Sequence, residues 1–149
     1  MENNLKQILI SVTETILEQV AFVFIDERGD TCKPTSSDWD ALGAQASFSG
    51  VNSGCIHLWI SKGLAFSIAA NMLALDNIVD LRKAGDAVME ICNIITGNFI
   101  TAAFQNSKIS LGIPELLSVN TLTKDFSDDE NSTWFKSEDE QILILIRES

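Results

Sequence analysis

The chain has 149 residues, enough for a single domain spanning 1–149 that buries roughly 68–70% of its unfolded surface. Hydrophobic residues make up 46% and charged residues 21%, with 2 Pro and 8 Gly, which excludes disordered, collagen-like and low-complexity chains. A net charge of −11 has the wrong sign for nucleic acid or an anionic membrane and points to protein partners.

Residues 3–20 place Leu5, Ile8, Val12, Ile16, Leu17 and Val20 near helical spacing, with Asn3 or Asn4 as N-cap. The following AFVFI reads as a short strand or an apolar turn into a sheet, and residues 26–45 as a long polar loop. From Ala46 the period changes to two. Strands are predicted over roughly 45–51 and 54–60, joined at Asn52–Ser53–Gly54. Ser61 then caps a helix ending near Asp76, and a second helix runs from about Leu81 to Gln105. A short extended segment, ISLGI, breaks at Pro114; further strands are expected near 118–125 and 141–149, separated by an acidic turn over 126–140. The order predicts an α+β domain of two layers, a mostly antiparallel sheet with long helices packed on one face.

No apolar run approaches the roughly 18 residues of a membrane helix; Ile8–Ile25 is interrupted by Thr13, Glu14, Glu18 and Gln19. The opening MENNLK does not read as a signal peptide. Cys32, Cys55 and Cys92 are an odd number without a CxxC pair, which argues against a disulfide framework or zinc site and for a reducing cytoplasm.

Conventional catalytic motifs are missing. His57 stands in an alternating strand pattern, and without a second His it cannot build a His-based metal cluster. The acidic run Asp125–Glu130 lacks the glycine and terminal Glu of a calcium loop. There is no GxxxxGK[ST], GxGxxG or GxSxG, so nucleotide, dinucleotide and α/β-hydrolase chemistry fall away. No constellation marks a small-ligand pocket. Trp39, Trp59 and Trp134 are dispersed and read as core or sheet packing.

The long helix is different. Asp86, Glu90, Asn93 and Gly97 lie at i, i+4, i+7 and i+11, within an arc of about 60°. Ala84, Val88, Ile91, Ile95 and Ala102 form the opposite stripe, which must face the sheet. Met89 and Ile94 flank the polar row, so a carboxylate and a carboxamide sit in an apolar frame beside a glycine gap. With 10 Glu and 10 Asn, chance supplies about 0.7 Glu-x-x-Asn pairs; requiring Asp four residues earlier lowers that to about 0.05.

DAVMEICN (residues 86–93), ITGNF and then Pro114 resemble the Asp/Ser-x3-Glu-x2-Asn…Pro pattern of the CheC/CheX/FliY phosphatases, which act on the phosphorylated chemotaxis regulator CheY. The resemblance extends back through AFSIAANML (residues 65–73), FSG (48–50) and Gly54. One motif rather than two makes the chain more similar to CheX. The 20 residues between Asn93 and Pro114 are slightly fewer than usual, and Leu75 stands where a small turn residue is common.

What the resemblance implies is a cytoplasmic phosphatase for the phosphoaspartate of a CheY-like response regulator. Asn93 would position the attacking water and Glu90 would anchor the receiver's lysine, with Asp86 and Gly97 as docking residues. The chain would hold no metal of its own, since Mg²⁺ comes with the receiver. The resemblance also implies a homodimer through sheet extension, for which the apolar QILILI strand offers an edge. The rival reading is a non-catalytic receiver-binding module of a two-component or chemotaxis complex, with the same fold and face.

Overall fold

The computed structural model describes residues 2–35, 38–73, 80–105, 107–118 and 130–149. Three helices, α1 (Glu2–Ala21), α2 (Lys62–Leu73) and α3 (Leu81–Ala103), pack on a seven-stranded sheet. Its strands are β1 (Glu27–Arg28), β2 (Ala41–Gly50), β3 (Gly54–Ser61), β4 (Ile109–Leu111), β5 (Glu115–Leu117), β6 (Ser132–Ser137) and β7 (Glu140–Glu148). The spatial order is β1-β6-β7-β3-β2-β4, with β5 also paired to β2, and every pairing is antiparallel. This is the predicted α+β arrangement.

Strand alternation sets the core. Leu42, Ala44, Ala46 and Phe48 of β2, Ile56, Leu58 and Ile60 of β3, and Ile142, Ile144 and Ile146 of β7 point to the helices. Small residues on both sides, Ala44 and Ala46 of β2 and Ala84 and Ala87 of α3, let the helix sit close to the sheet. The outer face carries a second cluster in which Cys32, Ala41, Trp134 and Leu143 surround Trp59, and Trp39 packs on Trp134 with ring planes tilted by 56° and centroids 5.0 Å apart.

Several expectations shift. α1 starts at Glu2, so Asn3 and Asn4 lie inside the helix rather than capping it. AFVFI forms no strand but an apolar turn toward β1: Phe22 takes φ 58 and ends α1, Ala21 and Val23 are buried, and Phe22 and Phe24 are left exposed. β2 begins at Ala41, four residues early, because Gly43 gives the Trp59 indole a place to lie. The Ser61 hydroxyl accepts from Gln141 N–H and from Trp39 Nε1 and thus ties the sheet together. The segment read as an acidic turn contains β6, whose register sets Trp134 against Leu143. The strand expected near 118–125 lies outside the described residues except Ser118, which is not in a strand. β7 is interior, paired with β3 and β6, so QILILI cannot offer a free edge to a second copy.

Candidate functional site

α3 is fixed at its start by Asp80, whose carboxylate accepts the Lys83 N–H at 2.8 Å. From there the helix buries Ala84, Ala87, Val88, Ile91, Cys92, Ile95 and Phe99. Ala102, expected on this stripe, is exposed, while Ile100, Ala103 and Phe104 of the last turn pack against the core. Inside the helix Thr96 Oγ1 donates to Cys92 O at 2.7 Å, which satisfies a hydroxyl that is fully buried.

The predicted polar row faces outward. Asp86 and Glu90 are exposed, and Asn93 and Gly97 are half-buried. Among the described residues, none of the Asp86, Glu90 and Asn93 side chains is engaged in a hydrogen bond or ion pair. Three polar groups one turn apart on a rigid helix are thus available to a partner. Met89 and Ile94 are half-buried and packed on the core, so they frame the row without projecting from it.

One flank of the row was only partly legible beforehand, since ISLGI read as extended but its place beside α3 did not show. Residues 109–117 run along the outer edge of β2 as two short strands, with Gly112 N–H donating to Ser47 O at 2.7 Å between them. The segment lies beside α3 in the opposite direction. Leu116 covers Gly85, where an added Cβ would come within 3.1 Å of its Cδ1, and Leu111 lies near Gly97. Leu111, Ile113 and Leu116 are 39%, 86% and 50% exposed, and half-buried Pro114 stands between β4 and β5. The alternation of Ile109, Leu111 and Ile113 in ISLGI, read as a short extended segment, was the available signal.

Gly97 has more room than the fold needs. A Cβ there would meet only Leu111 Cδ2, at 3.8 Å, an ordinary contact. Internal packing therefore does not require glycine, and the gap faces solvent beside the row.

No conventional nucleophile stands on this face. Cys92 points into the core, where burial pushes its thiol up to about 12. Burial also raises Cys55, on the sheet's outer face. His57 is buried there too, and burial, then nearby Arg147, lowers its pKa. Among the described residues no group of three His, Cys, Asp or Glu side chains could hold a metal, and no helix is long and apolar enough to cross a membrane. Of the acidic run, only Glu130 is described.

No curated protein sequence matches the chain. Among solved structures it is similar to the chemotaxis protein CheX of Desulfovibrio desulfuricans, at TM-score 0.72 and 16% identity, over 98% of this chain and 99% of that one. CheX of Vibrio vulnificus gives 0.72 and 18%, over 99% of each chain. CheX of Borrelia burgdorferi, solved as a CheX–CheY–BeF3–Mg complex, gives 0.64 and 18%, over 95% and 96%. The family model of the chemotaxis phosphatase CheX matches residues 42–138, a span that takes in all of α3 and its β4–β5 flank, and the chain belongs to that family.

Proposed function

We propose that this protein hydrolyses the phosphoaspartate of a CheY-type response regulator. The carrying observation is that Glu90 and Asn93 project, unengaged, from a helix whose other faces are largely buried. Membership of a phosphatase family and the Borrelia complex with CheY support the choice of substrate. A cytoplasmic setting follows from that substrate.

An acyl phosphate on a receiver arrives with its own Mg²⁺, so charge on the phosphoryl oxygens is already balanced. What the second protein must supply is position. The Asn93 carboxamide can accept from and donate to a water without bringing charge to the phosphoryl group, and holds it in line with the scissile P–O bond. The water oxygen bonds to phosphorus as the bond to the aspartyl oxygen breaks, releasing inorganic phosphate and the free carboxylate. The loose transition state leaves the water's proton in place until late, so no general base is needed on this chain. Glu90, one turn away, pairs with a receiver lysine and fixes the approach. Asp86 assists docking at the outer end of the row.

Phosphate release from a phosphorylated CheY-type receiver with Mg²⁺ tests this directly. Wild-type protein accelerates release, Asn93→Ala removes the acceleration by on the order of 100- to 1000-fold, and Glu90→Gln weakens association and turnover together. Asp86→Ala is milder than either. Receiver binding without accelerated release would identify a docking module instead. Full activity in a folded Asn93→Ala variant would overturn the assignment of the water-positioning group.

A further inference from the structure

A second recess lies at the opposite end of the sheet order from β4 and the polar row. It is a cleft of about 320 Å³ between the segment that follows α1, one face of α2 and the β6–β7 turn. That volume is at the small end of the range for small-molecule sites. Phe22, Phe24 and Leu64 supply apolar walls, and Asp26, Glu138 and Glu140 supply carboxylates. No lysine, arginine or histidine is among the described residues that line it.

The core accounts for Leu64 but not for Phe22 and Phe24. Phe22 ends α1 in the left-handed region, with φ 58, where glycine is the usual choice and a bulky residue is strained. The residue remains 63% exposed and Phe24 61%, so burial does not offset the strain. Glu138, at φ 56 in the two-residue β6–β7 turn, is the other non-glycine residue of positive φ among those described, and it lines the same cleft. The walls are also cross-braced: Glu138 N–H donates to Asp26 Oδ2 at 2.7 Å, Ser137 Oγ to Phe24 O at 2.7 Å, and Asn71 Nδ2 to Ala21 O at 3.4 Å. Gly63 brings α2 so near Glu140 that a Cβ would lie 3.0 Å from its Oε1.

We propose that this cleft binds a small organic cation, a guanidinium or alkylammonium compound whose charged head lies among Asp26, Glu138 and Glu140 and whose carbon body rests on Phe22 and Phe24. Charge selects the class, because three carboxylates without a lining base repel anions and attract cations. The exposed phenyl rings add cation–π attraction and cover for a short alkyl chain.

The test compares butylguanidinium with its neutral isostere butylurea, titrated into the ¹⁵N-labelled full chain and followed by amide shifts. Butylguanidinium shifts the amides of residues 22–26 and 137–140 saturably, and butylurea does not. Phe22→Gly loses about two- to fivefold in affinity, and because glycine adopts φ 58 without strain, the variant melts no lower than wild type. No saturation by butylguanidinium, equal binding of butylurea, or unchanged affinity in Phe22→Gly would each overturn the proposal. Tighter binding of an Ala-Arg-Ala peptide than of butylguanidinium would overturn it in favour of a polypeptide occupant. None of these readouts depends on phosphate release, so the outcome is separate from the fate of the phosphatase reading.

Discussion

Gly97 is a helix-interior residue whose missing side chain the fold does not need, since an added methyl would meet only Leu111 at 3.8 Å. Glycine in such a position costs roughly 0.5–1 kcal/mol relative to alanine. Its presence one turn beyond Asn93 is explained if a partner's backbone comes close there. Gly97→Ala should therefore raise the melting temperature while lowering receiver-stimulated phosphate release. A variant both more stable and fully active would remove Gly97 from the docking face. This part of the site was legible because i, i+4, i+7 and i+11 on a helix is purely local geometry. Glu90, Asn93, Asp86 and Gly97 share an outward strip whatever the helix packs against. Nothing local marked Phe22 or Glu138, because their cleft joins segments more than a hundred residues apart and its backbone strain leaves no signature in composition.

At the scale of elements, α3 is a platform and the β4–β5 edge is its rail. The helix is held on one side by the sheet and on the other by Leu116 against Gly85, so the polar row cannot rotate away without breaking both contacts. Ile113, between the two short strands, projects almost entirely into solvent at 86% exposure. Its apolar surface becomes useful when a receiver covers it. Ile113→Asp should leave stability within about 0.5 kcal/mol of wild type, as expected for a free surface position. The same substitution should weaken receiver affinity on the order of tenfold, read as Kd by fluorescence anisotropy, because burying a carboxylate replaces burying an isoleucyl side chain. Unchanged affinity would place the interface on α3 alone. The sequence showed ISLGI as extended but not where it pairs, because edge pairing with β2 is a tertiary event, and Pro114 hides the second short strand that follows it. β6 was hidden for a related reason: its two-residue turn carries Glu138 and Asp139 where a hairpin ordinarily shows glycine or asparagine. By contrast, α1, α3, β3 and β7 carry long periodic patterns, and there sequence and structure agree to within a few residues.

Across the whole molecule, one side chain has an ordinary pKa between 5 and 7. His57 is the chain's single histidine, 6% exposed on the sheet's outer face. The antiparallel register pairs it with Leu145 and puts Arg147 two residues along the same face of β7. Burial, and secondarily that guanidinium, disfavour the imidazolium, so the folded pKa lies below the ordinary 6.5. The unfolded chain therefore takes up the proton first as pH falls. Between the two values it binds more protons than the native state, so folding stability declines on acidification. The contribution is complete above pH 6.5 and is lost as pH drops toward the folded pKa. One proton limits the slope to about 1.4 kcal/mol per pH unit. Urea midpoints at pH 7.0, 6.0 and 5.0 should thus fall for the wild-type protein and stay nearly level for His57→Gln, which keeps a polar side chain at the site. An equal acid-dependent loss in the variant would transfer the effect to the carboxylates and remove His57 as its source.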